Sequence, residues 1–150
     1  CWMIEGETEW GQAAVSDNFS EYLKIQHMHP YRLTQSGLNF EMTTSREWSV
    51  TEASQYLTNA LNVTSCSETN DYAYSYSLGA AATEALVSIG GSESIFALHQ
   101  RIVDKMPYEQ AFKEVYGISW AEALPLLANV VAKKITLSWS PTALTYQTKP

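Results

Sequence analysis

The chain opens with the stretch Trp2-Met3-Ile4-Glu5-Gly6-Glu7-Thr8-Glu9-Trp10, in which three carboxylates lie between two tryptophans. Carboxylates in the first turns of a helix interact favourably with the positive end of the helix dipole. The apolar residues that follow recur near helical spacing, although they do not form a clean stripe. They are Trp10, Ala13, Ala14, Phe19, Tyr22, Leu23 and Ile25. The opening therefore predicts a long helix over residues 5–26.

Two capping boxes predict further helices. Ser49 and Ser119 are each followed three residues later by a glutamate, Glu52 and Glu122. In this arrangement the serine hydroxyl accepts from the third backbone amide of the helix, and the glutamate accepts from the amide of the serine. We expect these helices to end near residue 61 and residue 135.

Three more helices are expected between the two boxes. Asp71 and Ser92 are suitable N-cap residues, and glycines follow the expected helix ends. The apolar side of the middle helix is expected to consist of Ile95, Leu98, Ile102 and the pair Phe96 and Val103. The expected ranges are Tyr72–Ile89, Glu93–Lys105 and Pro107–Tyr116.

Together these elements predict an all-α fold, a bundle of about six helices with almost no strand signal. Residues 1–135 are expected to form a single helical domain, and residues 136–150 an extended tail. Residues 27–47 have no sustained periodicity and form a long predicted loop, of the kind that often carries function.

Composition excludes several classes of protein. The 150 residues are 45% hydrophobic and 17% charged, which is typical of a globular chain with a core. The net charge of −7 and the nine scattered Lys and Arg residues argue against a nucleic-acid partner. No apolar run approaches the roughly 20 residues that a transmembrane helix needs.

The two cysteines, Cys1 and Cys66, allow two interpretations. The simpler one is a pair of free or buried thiols, and the alternative is one disulfide in an exported protein. The sequons that begin at Asn18 and Asn62 and the Ser/Thr-rich, Lys-poor composition favour an extracellular or cell-envelope location. The chain begins abruptly inside a predicted element, which is typical of a processed product or a fragment.

Two segments together resemble the gluzincin zinc metallopeptidases, in which an HExxH helix is followed by a downstream glutamate. The opening Trp2-Met3-Ile4-Glu5-Gly6 is similar to the W-x-x-E-G segment of that family, and Tyr76-Ser77-Leu78-Gly79-Ala80 is similar to its Y-x-x-G-A segment. The later order of Gly90-Gly91, Ala111-Phe112 and Gly117-Ile118-Ser119 also resembles the helical second half of such domains. The resemblance covers residues 2 to about 132.

The resemblance implies roles for particular residues. Glu5 would be the third protein ligand of a zinc ion, and Tyr76 would donate a hydrogen bond to the oxyanion formed during peptide hydrolysis. Glu9 lies one turn after Glu5 and could contact the metal site or a substrate amine. The residues alone also allow plainer interpretations: Glu5 as a surface acid at a helix start, Tyr76 as a half-buried packing residue, and Glu9 on a solvated face.

The HExxH segment itself is absent from the sequence. His27 and His29 are spaced so that a helix would point their rings apart, and His99 is expected to be a partly buried histidine with a satisfied hydrogen bond. Because zinc catalysis needs three protein ligands and an open position, we expect zinc in the complete protein, none held by this chain alone, and no activity from this chain alone.

The sequence thus predicts the C-terminal part of a zinc-dependent metallopeptidase-like protein that acts on peptides or proteins. Its partner would be the missing HExxH portion of the same protein, or a separate polypeptide that supplies the histidines. The alternative is a non-catalytic helical binding or scaffold domain.

Overall fold

The computed structural model of the chain describes residues 1–15, 48–59, 61 and 74–138, with the backbone alone for residue 77 and residues 134–138. Within these ranges all regular structure is helical, which confirms the predicted fold class. The six described helices are α1 (Trp2–Ala14), α2 (Val50–Asn59), α3 (Tyr74–Gly90), α4 (Ser92–Val103), α5 (Tyr108–Tyr116) and α6 (Trp120–Ser138).

Both predicted capping boxes are confirmed. The backbone amide of Ser49 donates to Glu52 Oε2 at 2.9 Å, and the amide of Glu52 donates to Ser49 Oγ at 3.2 Å. The same reciprocal pair joins Ser119 and Glu122, with distances of 2.9 and 3.2 Å. These bonds fix the starts of α2 and α6, and the carboxylate of Glu122 has its pKa lowered by the bonds from Ser119.

The start of α4 differs from its prediction. The N-cap is Gly91 rather than Ser92, and its backbone lies at φ 78° and ψ 166°. Glycine reaches this region without the steric cost that a side chain would add, so the chain can turn sharply from α3 into α4. The hydroxyl of Ser94 donates to the carbonyl oxygen of Gly91 at 2.7 Å and closes the turn.

Several other predicted boundaries are shifted. The first helix begins at Trp2, earlier than residue 5, and α1 ends at Ala14, which is exposed rather than buried. The end of α6 lies at Ser138, three residues beyond the predicted end. The predictions for residues 16–47, for Asp71 and for residues 139–150 fall outside the described residues.

The core lies where α3 packs against α1, α4 and α6, while α2 packs against α6 and α4 against α5. Its largest fully buried side chains include Trp2, Leu57, Leu78, Leu98 and Phe112. Burial of one such side chain contributes roughly 1.5–3 kcal/mol. Aromatic contacts connect three helices here, since Trp120 packs edge-on against Phe112, with ring centroids 5.1 Å apart, and stacks with Trp2.

The prediction that Phe96 and Val103 form part of the core is wrong. These side chains are 66% and 68% exposed, whereas Ile95 and Leu98 are buried. On a helix, positions 96 and 103 lie about 100° around the axis from positions 95 and 102. The buried side of α4 therefore includes only some of the apolar residues of the helix.

Cys1 is disulfide-bonded, so the simpler interpretation of two free or buried thiols is wrong. Cys66 is the only other cysteine of the sequence and lies outside the described residues. A cross-link stabilises a fold chiefly by restricting the unfolded chain. It also ties down the residue that directly precedes α1.

In the described part of the chain, no single helix is long and apolar enough to cross a membrane. Taken together, Tyr108–Tyr116 and Trp120–Lys133 have sufficient length and apolar composition, but they are bent by 75° relative to each other.

Candidate functional site

The two segments that resemble the peptidase motifs pack directly against each other. Gly6 of α1 contacts Gly79 of α3 so closely that a β-carbon added at Gly79 would lie 2.9 Å from the Cα of Gly6. The carbonyl oxygen of Trp2 also lies against Gly79. Helix backbones approach this closely only where neither residue carries a side chain. Gly79 also begins a run of small side chains, Gly79-Ala80-Ala81-Ala82, which lets a neighbouring helix approach closely.

Glu5 and Tyr76 both lie near this contact. Glu5 directly precedes Gly6, and Tyr76 lies three residues before Gly79, within one turn of α3. Both side chains are half-buried. The glycine contact therefore places the turn that carries Glu5 beside the turn that carries Tyr76.

Trp2 fixes the start of α1. Its side chain is fully buried, and its indole Nε1 donates to the carbonyl oxygen of Leu57 at 3.0 Å. Its ring also stacks on Trp120, with centroids 6.3 Å apart and planes 17° apart. The turn that carries Glu5 is thus held from α2 and α6 as well as from α3.

Glu9 does not lie on a solvated face, because only 4% of the residue is exposed. Glu5 and Glu9 are four residues apart and share one side of α1. This side is turned inward, which the acid-rich sequence did not indicate. A role for Glu9 in substrate binding stays a prediction.

Glu7 points away from that side and forms a contact that we did not predict. Its Oε2 lies 3.2 Å from Nε2 of His99 on α4, and the two side chains are 15% and 42% exposed. Burial raises the pKa of Glu7 to about 8 and lowers the pKa of His99. The expectation that His99 is partly buried is confirmed.

Two tyrosines of α5 lie near enough to Glu7 for its charge to act on them. The hydroxyl of Tyr116 lies 3.1 Å from Oγ of Ser94, and burial raises the pKa of Tyr116. Burial also raises the pKa of Tyr108, with smaller contributions from Tyr116 and Glu7. Glu7 was recognised in the sequence only as an acid in a helix start. His99 lies between Phe96 and Val103 in an apolar stretch of the sequence, and that pattern did not predict a carboxylate beside it.

A metal site would need more ligands than the described residues bring together. Among residues 1–15, 48–59, 61 and 74–138, no group of three His, Cys, Asp or Glu side chains could hold an ion. Glu5 is one suitable oxygen ligand, but a zinc site requires three protein ligands. His27 and His29 lie outside the described residues. The described side chains therefore do not by themselves fit a zinc ion.

Comparison with protein-family models, with curated proteins and with solved structures returned no match for this chain.

Proposed function

We propose that this chain is the helical C-terminal part of a gluzincin-like zinc metallopeptidase. In this proposal Glu5 contributes one carboxylate ligand, and two histidines come from a segment outside these 150 residues. The close contact of Gly6 with Gly79 is the observation that carries the proposal, because it joins the W-x-x-E-G and Y-x-x-G-A segments at one place.

The surface beside Glu5 supports the same proposal. Ile4 directly precedes Glu5 and is 61% exposed. An exposed apolar side chain next to a half-buried carboxylate suits a surface on which a further helix docks. Such a helix could belong to the same protein or to a separate polypeptide.

Tyr76 would act on the substrate rather than on the metal. A phenol that donates to a developing oxyanion contributes about 3 kcal/mol, or 10²–10³-fold in rate. Its half-buried position in the first turn of α3 leaves part of the side chain accessible to a ligand.

The test uses the protein encoded by the complete gene and a peptide library as substrate. Tyr76→Phe should lower kcat by about 100-fold or more with little change in KM. Tyr74→Phe, on the same helix, is the matched control and should keep near wild-type activity, because Tyr74 packs edge-on against Trp48 instead. Full activity of Tyr76→Phe, or an inactive wild-type protein that holds zinc, would contradict the proposal.

A non-catalytic binding domain is the second candidate, and exposed apolar side chains favour it. Ile89, Phe96 and Val103 are 73%, 66% and 68% exposed on α3 and α4. Phe96 and Val103 are seven residues apart on α4 and share one side of it, and exposed apolar residues that form one patch are typical of contacts with another protein. This candidate predicts that zinc leaves the unfolding temperature of the complete protein unchanged, whereas a bound metal would raise it.

A further inference from the structure

We propose that the outward-facing side of α4 binds a basic amphipathic helix of another protein. This surface, which we call the α4 outer face, consists of Phe96, Gln100 and Val103 with the carboxylates of Glu93 and Asp104 beside them. The inference deepens the binding role given above as the second candidate, on which it rests, because it names the chemistry of the partner. It does not require a zinc site.

Two large apolar side chains form the centre of the α4 outer face. Phe96 and Val103 are 66% and 68% exposed, although Ile95 and Leu98 on the inner side of the same helix are buried. Residues seven apart on a helix lie within about 20° of each other around the axis and about 10 Å apart along it. The two side chains therefore form one apolar stripe parallel to the helix axis, of the kind that another protein covers.

Two carboxylates lie along one edge of this stripe. Glu93 and Asp104 are both exposed, and helix geometry places them about 60° and 80° around the axis from Phe96. Nε2 of Gln100 donates to both carboxylate oxygens of Asp104 at 3.2 Å, which holds that carboxylate beside the stripe. Asp104 is also the C-cap of α4, where the helix dipole favours a cation. A positive group on a partner would therefore interact favourably with this edge.

The basic residues in and after α4 lie away from the stripe or beyond the end of the helix. Arg101 lies about 140° around the axis from the stripe, and its Nε donates to Glu114 of α5 at 3.1 Å. His99 lies on the other edge, with its Nε2 3.2 Å from Oε2 of Glu7. Lys105 follows the helix end, where a φ of 71° takes the backbone out of the helical path. The α4 outer face thus combines an apolar stripe with a negatively charged edge.

This combination discriminates between possible occupants. Two copies of the chain that met through the α4 outer face would bring the carboxylates of both copies into one interface, and each chain carries a net charge of −7. An anionic membrane surface would be repelled for the same reason. A helix with apolar side chains seven residues apart can cover Phe96 and Val103, and Lys or Arg beside them can pair with Glu93 and Asp104. The charge pattern therefore favours a basic amphipathic helix.

Binding of a synthetic helical peptide to the 150-residue chain tests the inference. The probe is a fluorescent peptide of about 20 residues with leucines on one face and lysines beside them, and a second peptide carries glutamates in place of the lysines. Fluorescence anisotropy should show that the lysine peptide binds at least about tenfold more tightly than the glutamate peptide at low salt. The difference should shrink at about 0.5 M salt, because exposed charges are then screened.

Substitutions separate the apolar stripe from its acidic edge. Phe96→Ala should weaken binding of the lysine peptide about tenfold, whereas the matched control Leu126→Ala, at a side chain that is 65% exposed on α6, should leave it unchanged. Glu93→Gln combined with Asp104→Asn should weaken binding severalfold at low salt and reduce its salt dependence. Glu109→Gln removes an exposed acid of α5 and should have little effect. Circular dichroism should show unchanged helix content in every variant, because all the replaced side chains are exposed.

Equal binding of the two peptides, equal effects of Phe96→Ala and Leu126→Ala, or no binding of the lysine peptide up to about 1 mM would overturn the inference. Binding of the glutamate peptide that depends on Phe96 would also overturn it, but would still support a binding role. Self-association of the chain, or its binding to anionic vesicles, that Phe96→Ala abolishes would assign the α4 outer face to a different occupant and overturn the inference. Phe96→Ala should leave the zinc content of the complete protein unchanged, so this test is independent of the peptidase proposal.

Discussion

The three acids at the start of α1 show how neighbouring residues acquire different environments. Glu5, Glu7 and Glu9 follow one another at intervals of two, so a helix places Glu7 on roughly the opposite side from the other two. The spacing could have been read from the sequence, but the burial could not. Glu7 is covered by His99, which lies 92 positions further along the chain, and local patterns carry no information about that contact.

Tyr108 provides a prediction at the scale of single atoms. Among the residues that the structure describes, its buried hydroxyl has no hydrogen-bond partner, and a buried polar group without a partner costs free energy. Tyr108→Phe should therefore leave the free energy of unfolding unchanged or raise it by about 1 kcal/mol, as measured by urea denaturation. Tyr116→Phe is the matched control, since it loses the contact with Ser94 and should lower stability by about 1 kcal/mol. A loss of 2 kcal/mol or more in Tyr108→Phe would show that the hydroxyl has a partner.

The helices themselves follow closely from local sequence. Capping boxes at Ser49 and Ser119 predicted two helix starts, and Gly117, with φ 77°, ends α5 where expected. Each of these caps involves residues within a single helical turn, so it can be recognised in the sequence without knowledge of the fold. The start of α4 was misplaced because Gly91 accepts a backbone geometry that Ser92 cannot, and the sequence does not show which geometry the turn requires.

The contact between α1 and α3 gives a prediction at the scale of elements. Gly79→Ala places a β-carbon against the backbone of Trp2 and Gly6, neither of which can move without shifting α1. We expect a loss of at least about 2–3 kcal/mol in the free energy of unfolding. Denaturant unfolding of the purified variant would measure it.

Gly11→Ala is the control for that variant. Gly11 lies inside α1 with open space around the position of a β-carbon. Alanine should therefore stabilise the helix by about 0.5–1 kcal/mol. Equal effects of the two substitutions would mean that the close contact of α1 with α3 does not contribute to stability.

At the scale of the whole molecule, the sequence predicted an all-α bundle but not which helices pack together. The apolar stripes of α4 and α1 were both assigned too broadly, because Phe96, Val103 and Ala14 lie outside the buried surface. Which residues of a helix are buried depends on the width of the neighbouring helix surface, and the sequence of one helix does not specify that width. The candidate site could be predicted only because two short segments resemble peptidase motifs. The contact of these segments through Gly6 and Gly79 could be seen only in the structure.

The disulfide at Cys1 predicts a dependence of global stability on redox conditions. A cross-link that closes a loop of several tens of residues contributes about 4 kcal/mol in the chain-entropy model. Replacing both cysteines by serine should lower the unfolding free energy by about that amount, and a reductant should then have no further effect. Equal stability of the wild type in oxidising and reducing buffer would contradict this expectation.

The zinc content of the protein encoded by the complete gene tests the central proposal most directly. We expect about one zinc ion per chain in the wild type, a loss of at least about 100-fold in zinc affinity in Glu5→Gln, and an unchanged content in the exposed control Glu109→Gln. Elemental analysis and a competitive chelator titration would measure both quantities. A wild-type protein without zinc, or a Glu5→Gln variant that holds zinc as tightly as the wild type, would contradict the assignment of Glu5 as a ligand.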